Sequence, residues 1–135
     1  MNQLNNLKEL LHNKNAALVV CYSNGEIKEY YQNRVKDIKE ILKENSKALE
    51  GAIVADKVIG KVAASLLTVA GVKEIYTDVI SKLAIPVLEK NKVKYEFKEK
   101  VEYIKNNDGT GMCPMENKYK DEIDIKKIYE EILSM

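Results

Sequence analysis

Three stretches of this chain put reactive or charged side chains where chemistry is feasible. The first holds Asp56, Lys57 and Lys61, inside the segment Gly51 to Gly71, GAIVADKVIGKVAASLLTVAG. An ammonium in apolar company must reach water or meet an anion; otherwise its pKa falls. Lys61 therefore suits a phosphate or carboxylate partner, or the role of an amine nucleophile. Its four-carbon stem can equally carry the charge out to water. The second stretch is Cys113-Pro114-Met115-Glu116, directly after Asp108-Gly109-Thr110-Gly111. A thiol followed by proline can sit at a helix start, where the dipole favours the thiolate. Glu116 can cap, accept a proton or pair with Lys61. A buried structural cysteine is the alternative. The third is Ser81, which fits an N-cap before the next helical segment. In an α/β sheet that strand-to-helix turn also borders the ligand crevice.

Familiar motifs are absent around these groups. Gly60-Lys61 is not a phosphate loop: Ala55 stands where the first glycine belongs, and Val62 replaces the Ser or Thr. Cys113 has no CxxC partner, and a lone cysteine is a poor metal site. Cys21 and Cys113 are the only cysteines, which excludes a disulfide framework and a zinc knuckle. Cys21 lies in an apolar run and reads as a core residue. His12 reads as a surface histidine near a helix C-terminus. No metal and no cofactor are expected.

The elements that must position these groups follow from periodicity. Asn2 to Asn13 predicts a helix with Leu4, Leu7, Leu10 and Leu11 on one stripe. Ala16 to Tyr22 predicts a central strand, covered on both faces. Ser23-Asn24-Gly25 is a hairpin turn, and Glu26 to Tyr31 alternates as the return strand. Val35 to Asn45 predicts a helix. In the organising segment, Ala52 to Ala55 is a short apolar run. Asp56 caps a helix that runs unbroken to Gly71, a fitting stop. That helix is apolar around most of its circumference, so it is expected to be buried. Its remaining stripe carries Lys57, Lys61, Ala64, Ser65 and Thr68. Val72 to Ile80 predicts a strand and Lys82 to Asn91 a helix, with Pro86 awkwardly in its second turn. Val93 to Ile104 alternates as a strand, Lys105 to Lys118 is loop, and Asp121 to Met135 closes as a helix. Strands alternating with helices predict an α/β fold with a mixed sheet.

The 135 residues suit a single domain, 1–135, with a real core. Lys and Arg total 22 against 21 Asp and Glu, a net charge of +1. That balance gives no global case for nucleic acid or an anionic membrane. No apolar run approaches the length of a membrane span, and no signal peptide is visible. The cytoplasm is the expected compartment.

ADKVIGKVAA at Ala55 to Ala64, a serine before a helix at Ser81, and DGTGMCPME at Asp108 to Glu116 resemble a small prokaryotic family. That family is a domain of unknown function grouped with the cytidine-deaminase-like fold. The resemblance spans nearly the whole chain, and DGTGMCPME is its most specific part. It implies a helix, a β-hairpin, then strands and helices in a three-layer α-β-α arrangement. It does not imply deaminase activity. Zinc deaminases need a His or Cys and a catalytic Glu at one helix start, and Pro-Cys-x-x-Cys at the next. Here those positions correspond to Lys61, Val62 and Ala63, and to Ser81, Lys82, Leu83 and Ala84. No zinc ligand or general-acid Glu stands at either. The resemblance thus implies the same crevice, relined by Lys61, Ser81 and Cys113 with Glu116.

Three functional readings follow. The first is a zinc-free domain binding a small molecule, a nucleotide or another anionic metabolite. Its ligand-binding residues are Asp56, Lys57, Lys61, Ser65 and Ser81. The second is an enzyme using Cys113 as nucleophile, assisted by Lys61 and Glu116; it requires Cys113 and Lys61 to line one pocket. The third is a non-catalytic regulatory or assembly subunit whose apolar helices form a homodimer.

Overall fold

The computed structural model describes residues 3–32, 35–106 and 108–135. Asn2, at the expected start of the first helix, and Asn107, within the expected loop, lie outside the described residues. The elements run α1 (Gln3–Asn13), β1 (Leu18–Cys21), β2 (Ile27–Tyr30), α2 (Lys36–Glu44), β3 (Ile53–Ile59) and α3 (Lys61–Val69). They continue with β4 (Glu74–Ser81), α4 (Ile85–Lys90), β5 (Lys94–Val101), α5 (Pro114–Tyr119) and α6 (Ile125–Leu133).

The strands form one open five-stranded sheet in the order β2-β1-β3-β4-β5. β1 pairs antiparallel with β2 and β3, while β3, β4 and β5 are parallel. All four residues of β1 are buried, as its unbroken apolar run predicts. The turn after β1 closes with the Gly25 N–H donating to the Tyr22 carbonyl, and Gly25 adopts φ +91°. Two separate apolar clusters pack the two faces. Leu4, Leu7 and Leu11 of α1 meet Val19, Cys21, Ala55 and Tyr76 on one face. On the other, α2, α3, α4 and α6 pack Ile38, Leu66, Leu88 and Ile128 against Leu18, Val20, Val54 and Ile75. The alternation of β1 divides its side chains between the clusters. The result is a three-layer α/β fold with a mixed sheet.

The segment Gly51 to Gly71 departs most from expectation. Asp56 does not cap a helix: it lies inside β3, paired to Leu18 on one side and Thr77 on the other. Helix α3 begins five residues later, with Gly60 as its N-cap. Lys57 therefore belongs to a strand and Lys61 to a helix, and they share no stripe. The run is apolar on both strand faces and continues directly into an apolar helix, so neither period stands out. Only Gly60 marks the change.

Other boundaries shift for simpler reasons. Ser81 ends β4, its Oγ accepting the Leu83 N–H at 3.0 Å, and α4 starts only at Ile85. Pro86 then falls in the first turn, where a missing N–H costs nothing. The expected closing helix starts at Ile125, capped by Asp124, which accepts from the Lys126 and Lys127 N–H groups. Part of the expected loop is the short helix α5.

Candidate functional site

The carboxyl ends of the parallel strands carry most of the singled-out residues. β3 ends at Gly60, which is extended (φ −101°, ψ −171°) and hands over to α3. A Cβ on Gly60 would lie 2.8 Å from both Glu116 Oε1 and Ile104 Cγ1. The glycine is needed for close approach, not for its dihedral freedom.

Glu116 occupies that space. It is buried, with its Oε1 accepting the Lys61 backbone N–H and its Oε2 accepting the Ile104 N–H, each at 2.8 Å. The carboxylate thus supplies the negative group favoured at the start of α3 and ties α5 to the segment after β5. The anion expected of a ligand at this helix start is an internal side chain. With both oxygens engaged by backbone donors, Glu116 acts as a structural clamp.

Lys61 is 7% exposed. Its Nζ donates to the Lys120 carbonyl at 3.0 Å, and no carboxylate among the described residues comes within 4.0 Å. Burial lowers its pKa, opposed by Asp121, Glu122 and Glu116. Lys61 lines a cavity of about 460 Å3 that also carries Lys82, Lys90, Lys120, Asp121 and Glu122. Ser65 is fully buried and its hydroxyl donates back to the Lys61 carbonyl at 2.7 Å. That bond is internal to α3. Ser81 is likewise buried and engaged in its turn.

Cys113 faces elsewhere. It is half-buried and lines an apolar cavity of about 260 Å3 with Val58, Val62, Ala63, Met115 and Glu116. Lys61 lines the 460 Å3 cavity, and Cys113 does not. The expectation that one pocket holds both is corrected: Gly60 and Glu116 line the cavity of Cys113 and not that of Lys61. Cys113 is the N-cap of a six-residue helix and makes no side-chain capping bond.

Asp56 is the buried carboxyl that position in the chain did not disclose. Burial pushes its pKa up to about 8, with Asp37 and Asp78 adding to the rise and backbone N–H groups of Val58 and Lys57 opposing it. The Val58 N–H reaches Oδ1 at 3.4 Å, a long bond. The pairing of β3 with β4 runs through Asp56↔Thr77 and Val58↔Val79. Lys57 donates its Nζ to Asn15 Oδ1. Also unforeseen was the partner of His12, whose Nε2 lies 2.7 Å from Asp78 Oδ1 beside the Tyr76 hydroxyl. An acid inside an apolar run, IVADKVI, was the available signal for Asp56.

These residues do not fit a zinc ion. Lys61 to Ala63 and Ser81 to Ala84 offer no imidazole or thiolate. Among the described residues no group of three or more His, Cys, Asp or Glu is arranged to hold a metal. No helix among them is long and apolar enough to cross a membrane.

The sequence model of a family described as TM1506, domain of unknown function (DUF1893), matches residues 6–134. The chain belongs to the DUF1893 family. Its structure is similar to the crystal structure of a DUF1893 family protein (TM1506) from Thermotoga maritima. The TM-score is 0.86 and the identity 30%, covering 97% of this chain and 88% of that one. A comparison with curated proteins finds no match. The DUF1893 assignment and the shared fold agree on a three-layer α/β domain and carry no activity with them.

Proposed function

We propose that this DUF1893 chain is a zinc-free, deaminase-like domain that binds a small anionic metabolite in the cavity at Lys61. The observation that carries the reading is the buried Lys61 ammonium, with a single backbone carbonyl among the described residues in hydrogen-bond reach, on the wall of a 460 Å3 cavity. That volume suits a nucleotide-sized ligand. Four lysines line it, against two carboxylates. One of those, Glu122, is already engaged by Lys127 and by the Asp124 N–H. A phosphate oxygen in the cavity would give Lys61 the anion that its burial calls for. Leu83, Pro86, Val87 and Ile125 offer an apolar wall for a ring or chain. The deaminase-like part of the reading is supported by the element order, a helix and a hairpin followed by strands and helices in three layers.

The test is a titration of the whole chain with adenosine 5′-monophosphate and inorganic pyrophosphate, followed by amide NMR. Saturable shifts around Lys61, Lys82 and Lys120 are expected. Lys61→Met should weaken binding by about tenfold or more, the worth of one charge-assisted bond. Equal affinity in Lys61→Met, or no saturable shift with either probe, would overturn the reading.

A further inference from the structure

The cavity at Lys61 holds an amine in an uncommon setting. Lys61 is 7% exposed, and among the described residues its Nζ donates only to the Lys120 carbonyl, at 3.0 Å. We propose that Lys61 forms a Schiff base with the aldehyde or ketone group of a small phosphorylated metabolite in this cavity, an inference that rests on the anion-binding reading above and narrows its ligand to one carrying a carbonyl.

Three observations carry this. First, a nucleophilic amine must be without its extra proton part of the time. Burial disfavours the ammonium and lowers the pKa of Lys61. The acids opposing that are Asp121, Glu122 and Glu116, and none of them lies within 4.0 Å of the Nζ. Glu116 is held by the Lys61 and Ile104 N–H groups, and Glu122 by Lys127 and the Asp124 N–H. The cations on the same cavity are Lys82 from the turn after β4, Lys90 from α4 and Lys120 from the end of α5. Neighbouring cations also favour the neutral amine.

Second, the cavity can divide binding from bond formation. Lys82, Lys90 and Lys120 are exposed. Lys82 pairs with Glu102, whereas Lys90 and Lys120 have no carboxylate within 4.0 Å among the described residues. Those two ammoniums can hold a phosphate while the buried amine meets the carbonyl carbon.

Third, the wall between is apolar. Leu83, Pro86, Val87 and Ile125 form it, and Ile123 stands beside them 86% exposed. A ring or short chain joining carbonyl to phosphate would cover that surface.

The step needs no further reactant. The lone pair of the neutral Nζ attacks the carbonyl carbon; a C–N bond forms and the carbon–oxygen bond breaks. Counted from the ammonium, two of its three protons leave with the oxygen as water, and the third stays on the iminium nitrogen. The positive charge thus remains at Nζ, facing the bound anion.

Pyridoxal 5′-phosphate, with aldehyde, ring and phosphate in one molecule, is the probe. The full chain is mixed with one equivalent at neutral pH and treated with sodium borohydride, whose hydride reduces the iminium carbon and leaves a stable secondary amine. Peptide mass mapping should find the phosphopyridoxyl group on Lys61 at least tenfold above Lys82, Lys90 and Lys120, since a pKa lower by one gives about ten times more neutral amine. Excess inorganic pyrophosphate should suppress that label. Lys61→Arg, checked for folding by its amide spectrum, should lose it while still binding pyridoxine 5′-phosphate, which has no aldehyde. In the wild-type chain, no label at Lys61, label there no greater than on the exposed lysines, or label that pyrophosphate leaves unchanged would each overturn the proposal. Saturable amide shifts with pyrophosphate alongside an unlabelled Lys61 would strike the Schiff base and leave the anion-binding reading standing.

Discussion

Two buried carboxyls sit near the same end of the sheet and meet opposite fates. Glu116 accepts two backbone N–H groups at 2.8 Å each, and is needed to join α3, α5 and the segment after β5. Asp56 accepts from backbone N–H groups of its own strand, that of Val58 at a long 3.4 Å and that of Lys57, and has two acidic neighbours and a cavity beside it. Burial costs both acids water. Glu116 recovers the loss from two short donors; Asp56, with a longer bond and acidic neighbours, recovers less of it. Burial alone is thus a poor marker of a working group; the unsatisfied remainder is the better one. Thr68 extends the series, since its hydroxyl is buried with no partner at all among the described residues.

The comparison breaks first at Glu116 if it is wrong. Glu116→Ala strands two buried N–H groups, and about 3 kcal/mol of unfolding free energy should be lost. Gly60→Ala should approach that loss, because its Cβ would collide with Glu116 and Ile104. Urea unfolding of both variants measures this. A loss below about 1 kcal/mol in both would remove the clamp from the argument.

Asp56 should make stability depend on pH. Its folded pKa, about 8, exceeds the value of 3.8 ordinary for an aspartate. The unfolded chain therefore releases the proton first. The contribution of Asp56 to stability is fully present below about pH 4 and is lost as pH rises to about 8. Asp56→Asn removes this dependence. Relative to wild type it should gain about 4 kcal/mol between pH 5 and pH 8.5, read from denaturant midpoints at each pH. A constant difference across that range would mean that Asp56 is ionised when folded, as a well-partnered acid would be.

The smallest effect belongs to Thr68. Thr68→Val keeps the shape and removes the partnerless hydroxyl, so it should be neutral or stabilising by about 0.5 kcal/mol. A loss of 1 kcal/mol or more in the same unfolding experiment would reveal a partner for that hydroxyl and shorten the series.

Much of the frame was legible from local pattern. The β1 run, the Asn24-Gly25 turn, the alternating return strand and the inward Ile38, Ile41 and Leu42 of α2 all appear where periodicity put them. The candidate site was legible in its residues and not in its geometry. Lys61, Ser81, Cys113 and Glu116 do gather at one end of the sheet, yet Lys61 and Cys113 line different cavities. The reason lies in a bond 55 positions apart, from the Lys61 N–H to Glu116. No local pattern encodes such a contact.

By itself, then, the order of residues determined which segments are apolar enough to be buried, where turns interrupt them, and that a cation and several acids must go in with them. It did so because side-chain period and turn chemistry act over a few neighbours. Only the tertiary structure decided which acid is satisfied. Asp56 became a strand residue because β1 and β4 flank it. Glu116 became a clamp because the Ile104 segment and the start of α3 meet over Gly60. Hydrogen-bond partners drawn from distant parts of the chain set the free energy of a buried charge, and folding alone brings them together.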